Sequence, residues 1–424
     1  MGRHFVVAAA LWLLLPAAAP AASAQGTTAT PPATAEPWTL ARLIAEARRA
    51  NPALLAAGQQ VEAARGSASQ AGAWPNPEFE LSAEDVPADG GGLSASKNLV
   101  GVAQTLPFPS KTHFATAAGG EGVAAARWEY RARAVELERA VKEAFYRALA
   151  AECRLATVRE LHELTRSLAE TAGRRARAGA APEQERLRAE IEMGRAAVEV
   201  AAAGQAAGEA RQALALLIGR AGEPLEPLAG ELREAVDTAA VARAGEGLAA
   251  RHPEALAAAA RRRQAGFESS RAGAERLPDL TLGAAYGRDR AAGEDVMEFR
   301  ASLPLPLFDR SGGRRQEARA RAAAAAHDEA ATGQRLRERF AVLAARLRTE
   351  TEQVAAYRAD VLPKAESALR MVRGGYDAGK FGFVDLVDTQ RTAAEARLGY
   401  WEKVLEMNLT AAELEALVAP AAEE

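Results

Sequence analysis

Hydrophobic residues recur every three or four positions along most of this chain, which is the spacing of one face of an α-helix. The pattern continues over about 112–177, and after a short break it returns to about residue 218. At roughly 1.5 Å per residue the first arm is about 100 Å long, well beyond a typical globular helix. A similar arm covers about 312–375, where Pro363 is expected to bend it. The pattern therefore predicts two very long helical hairpins.

Each predicted hairpin turns at a short segment that begins with Ala-Gly. The two turns lie at about 178–183 and about 378–383. Glycine accepts the backbone conformation that ends a helix, and Gly or Pro residues interrupt helical patterns. A further break rich in Gly and Pro, at 219–227, ends the first helical hairpin.

Four short segments alternate between apolar and polar residues, the second of them less cleanly, and this alternation is the period of a β-strand. In the last of them Met297, Phe299 and Ala301 fall on one face, opposite Glu298 and Arg300. Each segment has about the length of a tilted membrane-spanning strand, roughly 9–11 residues. The four predicted strands are 78–86, 98–108, 279–288 and 297–305.

These strands need additional partners if they cross a membrane. Lipid excludes open sheet edges, because their backbone N–H and C=O groups would be left without hydrogen bonds. Four strands are too few to close around a passage, whereas three chains would supply twelve, within the known range of membrane barrels. Alternation alone is equally compatible with two soluble hairpins on a helical body. The long helical hairpins, together with an N-terminal secretory signal at 1–24, favour a barrel shared between chains.

The order of helix, strand pair and long hairpin occurs twice, which predicts a tandem duplication. The predicted repeats span 38–227 and 228–418, followed by a short tail at 419–424. A period near 200 residues is too long for a solenoid repeat. Four pairs of landmarks are separated by 201, 201, 197 and 200 residues: Asn51 and His252, Pro77 and Pro278, Leu106 and Leu303, and Ala178 and Ala378.

The N-terminus has the order of a secretory signal peptide. Arg3 and His4 precede an apolar run at 5–15, and small residues follow as far as Ala24. The apolar run is shorter than a membrane-spanning helix, which argues against an N-terminal anchor. We predict a signal peptide at 1–24 and a flexible, Thr/Pro/Ala-rich leader at 25–37. No cysteine stands at the predicted junction to carry a lipid.

Composition excludes several other classes of protein. The formal net charge of −3 gives no basic footprint for nucleic acid. Cys153 is the single cysteine, so no disulfide can form within the chain. The histidines and methionines are scattered and form no soft-metal site. With neither a phosphate-binding loop nor a persuasive catalytic triad, we predict no enzyme activity, no cofactor and no bound metal.

Two acidic residues just past the second hairpin turn are the candidate site. Asp385 and Asp388 are three residues apart and therefore lie on one helix face. If several chains surround an axis, these residues form two rings of negative charge. The simpler interpretation is a pair of solvated acids at a helix start, where they interact favourably with the helix dipole.

Several motifs together resemble the outer-membrane efflux protein family, the TolC-like channels of tripartite pumps and type I secretion. The resemblance extends from residue 38 to about residue 418. It rests on the duplicated order of elements and on four motifs: NPEFEL at 76–81, QTLPFPSK at 104–111, LPLPLFDRSG at 303–312 and YDAGKFGFVDLVDTQ at 376–390.

The resemblance implies a mainly α protein with a membrane β-barrel. A homotrimer would build a 12-stranded barrel in outer-membrane lipid, on a tunnel of 12 helices that extends across the periplasm. Such a protein is an exit duct that conducts substrate passively. Its expected partners are a periplasmic adaptor protein and an inner-membrane RND-type transporter. The two hairpin turns would be the docking tips for the adaptor: Ala178, Gly179, Ala180, Ala378, Gly379 and Lys380.

The resemblance also assigns roles near the second tip. Asp385 and Asp388 match the aspartates of the constriction rings in this family, and Tyr376 matches a tyrosine that links neighbouring helices in the closed state. Proximity in sequence, rather than the resemblance, gives the further hypothesis that Arg373 or Lys380 holds the closed form through an ion pair with an aspartate of a neighbouring chain. The NPE motif, the acidic residues that follow it and the QTL motif favour the cation-efflux branch. Pro109-Ser110-Lys111 departs from the Gly-Gly-Lys or Pro-Gly-Lys often found there.

Two other classes of protein remain as alternatives. A periplasmic coiled-coil adaptor or scaffold also combines long hairpins with β segments. The duplication and the two matching strand pairs argue against it. A conventional porin is a weaker alternative, because one chain has too few strands for a barrel of its own.

Overall fold

A computed structural model describes residues 37–86, 92–94, 96–223, 225 and 227–419 of the chain. The predicted signal peptide at 1–24, the leader as far as residue 36 and the tail beyond residue 419 lie outside the described residues. Part of the first loop between strands also lies outside them.

The element order is a helical segment, a strand pair and a long hairpin, present twice. The first half contains β1 (Trp38–Thr39), α1 (Leu40–Ala50), α2 (Pro52–Ala71), β2 (Glu78–Glu84), a 3₁₀ turn (Gly92–Ser94), β3 (Lys97–Leu106), α3 (Pro109–Arg177) and α4 (Glu183–Leu217). The second half contains β4 (Leu228–Ala229), α5 (Thr238–Ala244), α6 (Leu248–Arg251), α7 (Pro253–Ala274), β5 (Leu280–Asp289), β6 (Glu294–Ser302), α8 (Gly312–Ala356), a π-helical turn (Tyr357–Val361), α9 (Leu362–Asp377) and α10 (Phe383–Val418). The predicted fold class, mainly helical with a duplicated order, is confirmed.

Helix α3 is the longest element, with 69 residues. It packs against α2 and α7 on one part of its length and against α4 and α10 on the other. Small residues permit close contact: a Cβ added to Gly119 of α3 would lie 2.9 Å from the Cα atom of Ala68 in α2. Leu155 and Val158 of α3 pack on alanines of α4. The alanine-rich composition therefore produces thin helical layers rather than one thick core.

The second long arm is interrupted just before Pro363. Helix α8 passes into the π-helical turn, in which the backbone N–H of Leu362 donates to the carbonyl oxygen of Tyr357, five residues earlier. Proline has no N–H and its ring collides with the carbonyl group four residues before it. The wider π turn accommodates this collision. Near Pro363, where the sequence predicts a bend, the structure shows a local change in helix type.

The largest apolar cluster lies where α1, α3, α4, α8 and α10 meet. Leu43, Val141, Leu347 and Met407 are completely buried in it. Asn408 is also fully buried, and its side-chain amide donates to the backbone oxygens of Arg233 and Val404. The short β1 pairs in parallel with β4 beside this cluster, joining the start of each repeat. This pair was not predicted, because two-residue strands have no readable alternation.

The remaining strands form one antiparallel sheet in the order β2-β3-β5-β6. Strand β6 was predicted at 297–305 but lies at Glu294–Ser302. Pro304 and Pro306 follow it, and proline cannot donate to a strand ladder. Strand β3 likewise ends at Leu106, before Pro107. Strand β2 ends at Glu84, because Asp85 has a left-handed φ of 54°.

The two faces of this sheet differ strongly. One register row is Leu81, Val100, Tyr286 and Met297, and the next contains Phe79, Val102, Ala284 and Phe299. Seven of these eight are large apolar residues that are more than half exposed. An exposed apolar surface of this kind is a site of contact with lipid or another protein.

The opposite face carries mostly charged and small residues, together with Leu99 and Val296. Arg300 of β6 pairs with Glu80 of β2 at 3.2 Å, reaching across two intervening strands that carry Gly and Ala there. Lys97 pairs with both Glu84 and Glu298. Thr105 and Thr281 are hydrogen-bonded at 2.9 Å. The alternation predicted from sequence thus separates an apolar surface from a polar one.

Candidate functional site

Both hairpins end in the same backbone motif. At the C-terminus of α3, the backbone N–H of Ala180 donates a hydrogen bond to the carbonyl oxygen of Arg175 at 2.8 Å. At the C-terminus of α9, the backbone N–H of Lys380 donates the equivalent bond to the carbonyl oxygen of Gly375 at 2.7 Å. Gly179 and Gly379 have φ angles of +70° and +74°, the left-handed conformation in which glycine avoids a side-chain clash.

The predicted docking residues lie in these turns and are exposed. They are Ala178, Gly179 and Ala180 at the first tip, and Ala378, Gly379 and Lys380 at the second. Two tips of the same shape are thereby presented by one chain.

A glycine pair before the second turn offers a sharp test of its packing. A Cβ added to Gly375 would lie 2.1 Å from the Phe381 ring, whereas one added to Gly374 would meet nothing within 4 Å. We expect Gly375→Ala to displace Phe381 and to weaken the bond from Lys380. Hydrogen exchange of the 376–383 peptide should therefore speed up. The Gly374→Ala control should leave exchange unchanged or slow it, because alanine favours helix. Equal exchange in both variants would rule out the close Phe381 contact.

A small apolar cluster lies behind the tips and joins the two hairpins. All four helical arms contribute to it. Its buried members are Leu168, Ala169 and Ala172 of α3, Ala189 of α4, Tyr376 of α9, and Phe383 and Leu386 of α10. Separation of the tips must therefore disturb packed apolar contacts as well as polar ones.

Tyr376 is the polar centre of this cluster. Its hydroxyl donates to Oε1 of Glu185, in the first turn of α4, at 2.7 Å. The Arg175 guanidinium lies 3.7 Å from the same carboxylate oxygen and 5.2 Å from the centre of the Tyr376 ring. We call Arg175, Glu185 and Tyr376 the tip latch. It ties the first hairpin to the second at their turns.

The protonation of Tyr376 keeps the latch intact at neutral pH. Burial, and then the hydrogen bond to Glu185, raise the pKa of Tyr376 to about 12. Because the folded-state pKa is raised, the neutral phenol is the favoured form, and its contribution to stability is complete below the ordinary value of 10. The contribution is lost only as the pH rises towards 12.

The two predicted aspartates lie on α10 just beyond the second tip, and both are exposed. Asp385 Oδ2 accepts a hydrogen bond from the backbone N–H of Gly382 at 2.9 Å. Asp385 therefore caps the start of its own helix.

Asp388 lies one turn further along α10. It lines a groove of about 370 Å³ between α4 and α10. Arginine side chains from both helices line the same groove: Arg188, Arg195 and Arg391. Tyr376 is buried, whereas both aspartates are exposed.

Sequence reasoning missed Arg175 and Glu185. Each is close to the first Ala-Gly turn, as Tyr376 is close to the second, and this matched position was the only available indication. In the described part of the chain, no group of three or more His, Cys, Asp or Glu side chains could hold a metal ion. None of the described helices has the length and apolar character needed to cross a membrane.

Comparison with known proteins decides the family. The outer membrane efflux protein family matches residues 43–220 and 246–419, which together include most of the chain. The chain belongs to the outer membrane efflux protein family.

Relatives of this efflux protein agree in both sequence and fold. The cobalt-zinc-cadmium resistance protein CzcC of Cupriavidus metallidurans is 29% identical over 377 residues, 86% of each chain. A membrane protein from Pseudomonas aeruginosa has 23% identity and a TM-score of 0.77, over 90% of this chain and 93% of its own. CusC has 16% identity and a TM-score of 0.76, over 90% of this chain and 92% of its own.

Membership of this family confirms the predicted class of function. The protein is an outer-membrane efflux channel of the kind that serves tripartite pumps, with a long periplasmic helical extension. The alternative of a periplasmic adaptor or scaffold is not favoured. The family is one of passive channels rather than of enzymes.

Proposed function

We propose that this efflux protein works as a homotrimeric exit duct, and that its four-stranded sheet is one third of a membrane barrel. The main observation that supports this proposal is the four-stranded sheet. Its outer strands, β2 and β6, each have one hydrogen-bonded neighbour within the chain, and one face is apolar and exposed. In lipid those edges must be paired. Pairing β6 of one chain with β2 of the next closes twelve strands from three chains.

The helical arms support the same assembly. Near the tips, one chain contributes α3, α4, α9 and α10 side by side. Three chains would give twelve helices around an axis, the same number as the strands of the proposed barrel. The charged face of each sheet would line the passage, and its apolar face would contact outer-membrane lipid.

The mouth of the duct would lie at the hairpin tips. Three copies of Asp385 and Asp388 would place six carboxylates near the axis, where they attract cations and repel anions. The latched arrangement of the tips is the closed state of this mouth. A periplasmic adaptor would dock on the exposed turns and open it by binding the open form more tightly. An inner-membrane RND-type transporter would drive the cargo.

We infer that the cargo is a divalent transition-metal ion. The relative CzcC is named for resistance to cobalt, zinc and cadmium. The polar face of the sheet also carries more acids than bases. Its acids are Glu78, Glu80, Glu84, Asp289, Glu294 and Glu298, and its bases are Lys97 and Arg300. An acidic lining favours passage of cations.

Two neighbouring positions on β2 test the barrel. Leu81 lies on the apolar face and is 71% exposed, whereas Ser82 lies on the polar face. A lysine on the lipid face costs roughly 2–4 kcal/mol near the bilayer centre. We expect Leu81→Lys to reduce the amount of trimer in the outer membrane and to raise the sensitivity of cells to cobalt, zinc and cadmium. Ser82→Lys should assemble normally.

Equal assembly of the two variants, from protein that is soluble without detergent, would contradict the barrel. The cargo has a separate test. If the wild-type protein assembles normally but deletion of its gene leaves the metal sensitivity of the cells unchanged, the inferred metal cargo is contradicted and the barrel is not.

A further inference from the structure

The two repeats bend at the same place between two helices, but they cap the bend with different side chains. In the first repeat Asn51 precedes α2, and its Oδ1 accepts from the N–H groups of Ala53 and Leu54 at 3.0 and 3.2 Å. In the second repeat His252 precedes α7, and its Nδ1 accepts from the N–H of Glu254 at 3.2 Å. Both capping residues have extended backbone and are followed by proline.

The two caps respond differently to acid. A neutral imidazole accepts a hydrogen bond only through its unprotonated nitrogen, and both nitrogens become donors once the ring is protonated. A proton on Nδ1 of His252 would therefore face the N–H of Glu254 and remove the cap. The amide of Asn51 has no such transition.

The surroundings of His252 favour the neutral ring. It is 5% exposed and lines a cavity of about 600 Å³ between α2, α3, α7, α8 and α10. Burial lowers the pKa of His252. Glu254 raises that pKa and Arg339 lowers it. The other charged groups that line the cavity are Glu129, Arg133, Glu136 and Arg139 of α3, Arg261 of α7, Arg335 of α8 and Glu413 of α10. The charges of these four carboxylates and five guanidinium groups nearly cancel. They therefore do not offset the free-energy cost of burying a protonated imidazole ring.

We propose that His252 is an acid-released helix cap, which holds the start of α7 in its neutral form and frees it when protonated. The bend between α6 and α7 lies against the large apolar cluster through Leu248 and Ala255. Release of the cap therefore loosens the second repeat and leaves the first repeat unchanged.

The direction of the pH effect follows from the lowered pKa. Between the folded-state value and the ordinary value of 6.5, the unfolded chain binds the proton more readily than the folded chain. The contribution of the cap is complete above about pH 6.5 and decreases as the pH falls below it.

The chain supplies its own matched variants. His252→Asn copies the cap of the first repeat, and Asn51→His copies that of the second. Hydrogen exchange of the 253–258 and 52–57 peptides of the full exported protein, in detergent, would be measured at pH 7.5 and 5.5 and corrected for intrinsic rates. Lost caps change local equilibria by a few-fold to about thirtyfold. We expect acidification to reduce protection of 253–258 about fivefold more in the wild type than in His252→Asn.

Asn51→His should confer acid sensitivity on the 52–57 peptide while leaving 253–258 as in the wild type. An equal acid response of the 253–258 peptide in the wild type and in His252→Asn would overturn the proposal. If His252→Asn fails to fold, an Asn51→His protein whose 52–57 peptide shows no acid response would overturn it instead. The remaining histidines are the same in all three proteins, so their titration cancels.

Discussion

Replacing Tyr376 with Phe should raise the ratio of open to closed channels at least about tenfold. The change removes one hydroxyl and leaves the ring packed in the apolar cluster of the tip. The lost bond joins the two hairpins and ends on a carboxylate. Hydrogen bonds to charged groups contribute roughly 1.5–3 kcal/mol, and about 1.4 kcal/mol corresponds to a tenfold change in equilibrium. Single-channel recording in planar bilayers would measure the ratio directly.

The matched control for Tyr376→Phe is Tyr400→Phe. Tyr400 is also buried, and burial and then the Glu234 carboxylate raise its pKa to about 12. Glu234 in turn pairs with Arg358 at 3.2 Å. The chemistry matches that of the tip latch, but Tyr400 belongs to the large apolar cluster far along α10. Its loss should lower stability without opening the channel. If both variants conduct alike, the latch is not the closing contact.

Asp388→Asn should weaken block by divalent cations about tenfold, the second large effect that we expect. The substitution reduces the proposed mouth from six carboxylates to three while conserving size. Bound divalent cations such as Mg²⁺ and Ca²⁺ take oxygen ligands, with carboxylates prominent among them, so loss of half the charge weakens binding. The effect on folding should be small because Asp388 is exposed and Asp385, rather than Asp388, caps the helix. Titration of conductance with Mg²⁺ would give the block constants.

Three further variants separate charge from structure. Asp385→Asn keeps an oxygen that can accept from Gly382, whereas Asp385→Ala loses both the charge and the cap. Asp360→Asn removes an exposed acid that pairs with Lys364 in the second long arm, away from the tip. Block should weaken in both Asp385 variants and stay unchanged in Asp360→Asn. A similar loss in Asp360→Asn would point to general surface charge instead of a defined mouth.

The long hairpins, the tip turns and the strand pairs could be predicted because each depends on local sequence. Helical spacing persists over dozens of residues, and Ala-Gly marks both turns. The end of β6 was misplaced by three residues because apolar alternation continued into Leu303 and Leu305. Pro304 and Pro306 cannot donate hydrogen bonds to the strand ladder, so β6 ends before them although the alternation continues.

The contacts of the candidate site were less predictable because they join distant parts of the chain. Glu185 and Tyr376 are 191 residues apart, and no periodicity relates them. The pairing of β1 with β4 links residues that are equally remote. Asp385 was recognised as a candidate, but its capping bond depends on Gly382, which has no side chain and is a weaker indication of a helix start than Ser or Asp.

The most direct test of the duct with an acidic mouth is the planar-bilayer conductance of the purified mature protein, with and without millimolar divalent cation on each side. We expect small channels that divalent cations block from one side only, the side of the hairpin tips. Absence of channels, from protein that stays soluble without detergent, would contradict the duct.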